Sequence, residues 1–258
     1  MDNRERSILK TLLYADIFNY PLTKNQVWKF LISEEKVNKT FLFNNLKNIK
    51  KIIDFKDGYF FLKGKKGLID LRKENEKKSN IKLKRAKKIA QIVFHIPSIK
   101  LIGVSGALSM KNSDAKDDID FFVVSENNLA WSTRFFSIII LSFLGVYRTR
   151  KTENIKDKIC LNMIIDESNL HFKKSVQNLY TAHEVIQIIP LFSKNNTYKK
   201  FIKENEWYKK FLPNATSYKN IYRDKSQNIF EILLIKILKM LSIEKILRFL
   251  QRKYMEKN

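Results

Sequence analysis

Hydrophobic residues at the start of the chain recur at helical spacing. Ile8, Leu9, Leu12, Leu13 and Ile17 predict one helix, and Val27, Trp28, Phe30 and Leu31 a second, with a break at Asn19-Tyr20-Pro21. Thr23 stands where the second helix needs an N-cap, since its hydroxyl can accept a bond from an early helical N–H. Phe41, Leu42, Leu46 and Ile49 predict a third helix over 39–51, with Lys and Asn over most of its remaining surface. The period then shortens: Ile52-Ile53-Asp54-Phe55 and Tyr59-Phe60-Phe61-Leu62 flank Asp57-Gly58, a strong hairpin signal.

Three helices and a hairpin are the order of a winged helix-turn-helix, expected over residues 1–65. Such a domain can lay its third helix in the major groove of DNA and its hairpin on the backbone. Lys47, Lys50 and Lys51 are then the phosphate contacts, and Asn44, Asn45 and Asn48 can reach base edges. The same order also serves purely as a packing module. Residues 66–97 form a helical connector: the charged run 72–78 passes into Leu83, Ala86, Ile89, Ala90, Val93 and Phe94, and Pro97 ends the pattern.

From Ile99 the pattern changes again. An apolar strand runs into Gly103-Val104-Ser105-Gly106-Ala107-Leu108-Ser109, a turn of small residues holding two of the six glycines. Glycine lets backbone approach a ligand closely, and N–H groups opening a helix suit phosphate. After a polar loop come Asp118-Ile119-Asp120-Phe121-Phe122-Val123-Val124. Two positions apart on a strand, Asp118 and Asp120 point to one face. Paired carboxylates of this kind hold the divalent ions of phosphoryl-transfer sites, and Mg²⁺ suits an all-oxygen set. Beyond 191 the chain reads as helical. Trp207, Tyr208 and Phe211 pack one part, and 229–254 alternates Leu and Ile with lysine and arginine, as in a basic amphipathic helix or a helix pair that closes the core.

Composition narrows the classes. Fifty Lys and Arg against 26 Asp and Glu give a formal charge of +24, which favours polyanions, although the lysines are scattered through the whole chain. One cysteine, Cys160, excludes an internal disulfide framework and suits a reducing cytosol; three histidines far apart do not suggest a zinc site. The charged start MDNRERSILK does not read as a signal peptide. The apolar run 135–147 falls short of the roughly 20 residues of a bilayer span and reads as a buried helix. A cytoplasmic protein without a membrane partner is expected.

The segment GVSGALSMKNSDAKDDIDFFVV resembles the signature of the DNA polymerase β-like nucleotidyltransferase superfamily: a Gly-Ser turn, a short helix, then Asp-x-Asp or Asp-x-Glu in an apolar strand. The likeness is strongest over 99–165. More broadly, through Lys158-Ile159-Cys160-Leu161-Asn162, Tyr180-Thr181-Ala182-His183-Glu184 and Phe211-Leu212-Pro213-Asn214, the chain resembles bacterial predicted nucleotidyltransferases with an N-terminal winged helix. The resemblance implies an α/β (α+β) protein whose nucleotidyltransferase domain is a mixed sheet with helices over 98–190, followed by a helical region over 191–258. It implies Mg²⁺-dependent transfer of a nucleoside monophosphate from a nucleoside triphosphate, two ions held by Asp118 and Asp120, and Gly103, Ser105, Gly106, Ala107 and Ser109 about the phosphates. Ala107 departs from the pattern, which has serine after the turn glycine, so Ser105 or Ser109 would take that contact. A third carboxylate belongs on a later strand. Asn162 holds the expected position and can ligate through its carbonyl oxygen, while Asp166 and Glu184 are the acidic candidates. The alternative is a degenerate, nucleotide-sensing DNA-binding regulator. Arg134, Arg148 and Arg150 flank the apolar helix as further anion contacts or solvated ends, and His183 reads as structural.

Overall fold

The computed structural model describes residues 1–44, 49–218, 222–241 and 243–257. In chain order the elements are α1 (Asn3–Asp16), β1 (Leu22–Thr23), α2 (Lys24–Lys29), α3 (Lys39–Leu42), β2 (Ile53–Lys56), β3 (Tyr59–Leu62), α4 (Leu68–Val93), β4 (Ile99–Val104), α5 (Gly106–Ser109), β5 (Ile119–Ser125), α6 (Ala130–Phe143), β6 (Ile159–Asp166), α7 (Leu179–Gln187), β7 (Ile189–Lys194), α8 (Thr197–Glu204), β8 (Arg223–Lys225), α9 (Ile229–Met240) and α10 (Ile243–Lys257). They form two compact units that interleave in sequence. The first holds Met1–Lys77, Lys173–Gln187 and Glu206–Ser217; the second holds Lys78–Phe172, Ile188–Asn205 and Tyr218–Asn258.

In the first unit, reciprocal caps start the early helices. Asp2 with Glu5 closes the beginning of α1, and Thr23 with Gln26 that of α2, each supplying partners to N–H groups the helix leaves unpaired. Asp57 (φ 53°) and Gly58 (φ 84°) take the left-handed conformations of a tight hairpin turn, so β2 and β3 pair and β1 adds to the far side of β3. The third helix is shorter than its pattern predicts. It ends at Leu42, followed by a turn at Phe43 and Asn44, and Ile49–Lys51 form a single 3₁₀ turn. Asn38, whose side chain accepts from the Thr40 N–H, caps the start of α3. Asn45, Leu46, Lys47 and Asn48 lie outside the described residues; Asn44, Lys50 and Lys51 are exposed.

Two later segments complete this unit. Asn214 is buried; its amide donates to the Trp28 carbonyl and accepts from the Val37 N–H, tying the end of α2 to the chain beyond it. His183 of α7 stacks on Tyr14 at 4.4 Å, and Gln187 bonds its Nδ1 at 2.9 Å. Burial pushes its pKa down to about 4, so it packs as a neutral ring, in keeping with a structural histidine.

The second unit is built on a five-stranded mixed sheet, order β6-β5-β4-β7-β8. β4 is antiparallel to both neighbours, while β5 with β6 and β7 with β8 run parallel. Phe121, Phe122, Val123 and Val124 are at most 1% exposed, which explains why β5 reads as a continuous apolar run: both of its faces are covered. Ala86, Ala90 and Val93 of α4 and Leu141 of α6 belong to this core. The stretch beyond 191, which reads as helical, also holds half of β7 and all of β8; the strand run Ile189–Lys194 is too short for periodicity to separate from a helix.

The helix expected to be buried, α6, is only half so. Ser132, Thr133, Ser137 and Leu141 face inward, whereas Phe143 is exposed. Its N-terminus is closed by α10: the Glu244 carboxylate accepts from the Trp131 and Ser132 N–H groups, both at 2.8 Å, and from the Ser132 hydroxyl at 2.6 Å. A negative charge is favoured there by the unpaired donors and the helix dipole. Two turns along α10, Gln251 accepts from Arg134 and donates to the Trp131 carbonyl. No described helix is long and apolar enough to cross a membrane.

Candidate metal and nucleotide site

The site forms where β4 ends and β5 begins. The Ser105 N–H donates to the Asp120 carbonyl at 3.0 Å, drawing the glycine turn against β5. Gly106 then adopts φ 62°, and a Cβ at that position would lie 2.5 Å from the Asp120 carboxylate oxygen. Backbone conformation and space therefore both demand glycine. Ser109 spends its hydroxyl on the Gly106 carbonyl at 2.7 Å, which tightens the single turn of α5. Gly103, grouped with the phosphate-binding residues by sequence, has a different role. Its missing side chain makes room for the Ile189 carbonyl of β7, 2.9 Å from where a Cβ would stand. Ala107 is exposed beside Gly106.

Ile119 is fully buried, so its neighbours Asp118 and Asp120 share the opposite side of the strand, as alternation requires. The loop before them is braced by α4: Ser79 accepts the Ser113 N–H, and the buried Lys82 donates to the Asp117 carbonyl at 2.6 Å. Asp118 is held by the Arg148 guanidinium. Arg148 arrives on a short run beside the start of β6, its N–H bonded to the Ile159 carbonyl.

In the parallel pairing of β5 with β6, Cys160 stands opposite Asp120. Ligand atoms of Asp118, Asp120 and Cys160 all lie within 4.8 Å of one another. Burial, then the neighbouring Asp118 charge, push the Asp120 pKa up to about 6, against the bond from Cys160 and the attraction of Arg148. Burial and both aspartates push the Cys160 thiol up to about 11. The thiol therefore keeps its proton near neutrality and bonds the Asp120 carboxylate. The donors left to a hard cation are two carboxylates, a set that fits Mg²⁺ completed by water and phosphate oxygens.

The third-ligand expectations fare differently. The β5–β6 register slips between Asp120/Cys160 and Phe122/Met163, adding one residue to β6. Beyond that bulge Asn162 is exposed, and its amide donates to the Ser105 hydroxyl at 3.4 Å. Asp166 is opposite Ser125 at the far end of β5, about 16 Å along the strand from Asp120. Its carboxylate caps the next turn through Ser168 and Asn169. The structure does not bring Asp166 to the aspartate pair. Glu184 belongs to α7 in the first unit, where burial, and then the Glu184 charge, raise the pKa of the Tyr14 hydroxyl. Cys160 is the residue that sequence reading missed. The available signal was its place at the start of the strand pairing with Asp-x-Asp, but choosing it over Asn162 needs the register. No family model, curated protein or solved structure matches the chain.

Proposed function

We propose that this chain is a Mg²⁺-dependent nucleotidyltransferase of the DNA polymerase β-like kind, moving a nucleoside monophosphate from a nucleoside triphosphate to an acceptor hydroxyl and releasing pyrophosphate. The observation that carries the reading is the contact between the Gly106 turn and the Asp120 carboxylate, which joins the phosphate-cradle signature and the carboxylate pair into one site. Asp118 and Asp120 hold the metal, which supplies charge neutralisation at the transferring phosphoryl group. Backbone N–H groups about Gly106 face the β- and γ-phosphates. Arg148, whose side chain is 37% exposed, can turn its guanidinium from Asp118 toward a phosphate oxygen, where its fork suits bidentate contact. Positioning and electrostatics then provide most of the rate.

The first unit is read as a winged helix. Its helices before a β2–β3 hairpin, with β1 on the sheet edge, support that assignment, and Asn44, Lys50 and Lys51 are exposed for DNA. A second reading, a nucleotide-sensing DNA-binding regulator, draws on a particular observation: the side chain beside Asp120 is a protonated thiol, and Asp166 is at the other end of the sheet. The two readings share the nucleotide and part at turnover. Titration with ATP and GTP in Mg²⁺ tests the shared part, and absence of affinity for either defeats both. Pyrophosphate release that disappears in Asp118→Asn and Asp120→Asn selects the enzyme. Salt-sensitive DNA binding that survives both substitutions, without pyrophosphate release, selects the regulator.

A further inference from the structure

Trp131, Arg150, Arg248, Arg252, Met255 and Glu256 line an open groove of about 380 Å³ on the second unit. The groove has fixed walls. Glu244 and Gln251 pin α10 to the start of α6 at two points two turns apart. Leu247 is buried between them. Arg248 and Arg252, one helical turn apart, fall on neighbouring positions of the remaining α10 surface. Arg150 joins them from the segment that follows α6.

These arginines do little to hold the fold. Arg150 and Arg248 make no ion pair among the described residues, and Arg252 meets only the exposed Glu256 at 3.9 Å. Three guanidinium groups share the groove with one carboxylate, Glu256, so its lining carries an excess positive charge that an anion would offset. Guanidinium forks match phosphate oxygens in pairs, and a tryptophan face accepts a stacked base. The volume lies at the lower end of small-ligand sites. Arg150 follows Arg148, the residue that holds Asp118, by two positions, about 7 Å of backbone. The segment that supplies Arg150 to the groove is therefore the one that supplies Arg148 to Asp118.

We propose that this groove binds the acceptor as a nucleotide unit, with its phosphate on Arg150, Arg248 and Arg252 and its base against Trp131. The word acceptor rests on the nucleotidyltransferase reading; the binding chemistry does not. A free mononucleotide and the terminal nucleotide of a single strand share that chemistry.

The test uses the full chain without divalent ion or triphosphate, at about 150 mM salt to suppress unspecific attraction by its many lysines. Anisotropy of a fluorescein-labelled oligo-U decamer is followed with AMP as competitor. Arg150→Ala should weaken binding about threefold, and Arg248→Ala with Arg252→Ala about tenfold or more; Lys87→Ala with Lys88→Ala, exposed lysines of α4, should leave it within about twofold. Displacement by AMP identifies a mononucleotide as sufficient, whereas displacement by unlabelled decamer alone identifies a strand end. Either result supports the groove. Unchanged decamer and AMP binding in both arginine variants, with native circular dichroism, overturns it. Loss of Mg²⁺-ATP binding in those variants, with decamer binding retained, also overturns it, because the arginines would then serve the donor. Decamer binding that depends on the arginines in a protein with no affinity for Mg²⁺-ATP keeps the groove and removes only its role as acceptor site.

Discussion

Opposite ends of one sheet treat their charges in contrasting ways. Where β4 begins and β7 ends, three glutamates each lie between two ammonium groups: Glu126 between Lys100 and Lys239, Glu167 between Lys100 and Lys200, and Glu231 between Lys194 and Lys225. Burial works against ionisation of Glu126 and Glu231, but the lysines outweigh it and both pKa values fall below the ordinary range. Where β4 ends and β5 begins, Asp118 has the Arg148 guanidinium, while Asp120 has a thiol, a glycine and no ion pair among the described residues. Buried charges that hold a fold together are compensated. Partly buried charge without such compensation is the pattern typical of functional sites, and it is what the proposed metal site draws on.

The contrast breaks most sharply through Lys194. Its ammonium is fully buried, pairs with Glu231 at 3.2 Å and lies over the Phe94 ring, and burial brings its pKa down to about 8. Lys194→Met removes one member of a buried pair and should cost about 3 kcal/mol, measured by urea unfolding at pH 7. A loss below about 0.5 kcal/mol would mean that this end of the sheet is not held by its charges.

Much of this was readable before the fold. Asp118, Asp120 and Gly106 come from local pattern, because a period of two and a glycine turn are written in consecutive residues. The caps at Thr23 and the turn at Asp57-Gly58 are legible for the same reason. Cys160 and Asp166 are not. Their positions depend on how β6 registers against β5: Ile119 meets Ile159 and Asp120 meets Cys160, and a bulge just beyond moves every later β6 position by one. The short third helix and the strands beyond 191 were hidden by apolar runs that suit either element. Arg150 and α10 come together only through tertiary contacts, which periodicity does not encode.

Gly106→Ala probes the join between turn and carboxylate. The new methyl group meets the Asp120 oxygen and the residue must hold φ 62°, so a loss of about 1–3 kcal/mol is expected, together with any Mg²⁺-triphosphate affinity. Retention of full stability and binding in this variant would separate the two halves of the site.

Asp120→Asn should act in the other direction on stability. Between about pH 4 and 6 the folded protein keeps a proton on Asp120 that the unfolded chain has released, so the native state loses stability as pH rises through that window. Asparagine removes this dependence. The variant should be more stable by about 1–2 kcal/mol at pH 7 and indistinguishable near pH 4. It should also lose any thermal stabilisation by Mg²⁺. An unchanged midpoint at both pH values would show that Asp120 is as well compensated as Glu231.

The smallest expected effect reads the same charge from its neighbour. Asp120 contributes to the raised Cys160 pKa by its charge and by the hydrogen bond it accepts, although burial contributes most. Thiolate is the form that alkylates. Iodoacetamide at pH 8 should therefore modify Cys160, the sole thiol, slowly in the native protein and about threefold faster in Asp120→Asn. Saturating Mg²⁺ should also accelerate the native protein, because a cation on Asp118 and Asp120 removes the same repulsion of the thiolate. If Mg²⁺ slows alkylation instead, the thiol has become a ligand or is covered, and Cys160 belongs to the metal's donor set rather than to the hydrogen bonding behind it. Equal rates in all three samples would place Cys160 outside the field of the aspartates, leaving them with no protein neighbour that reports their charge.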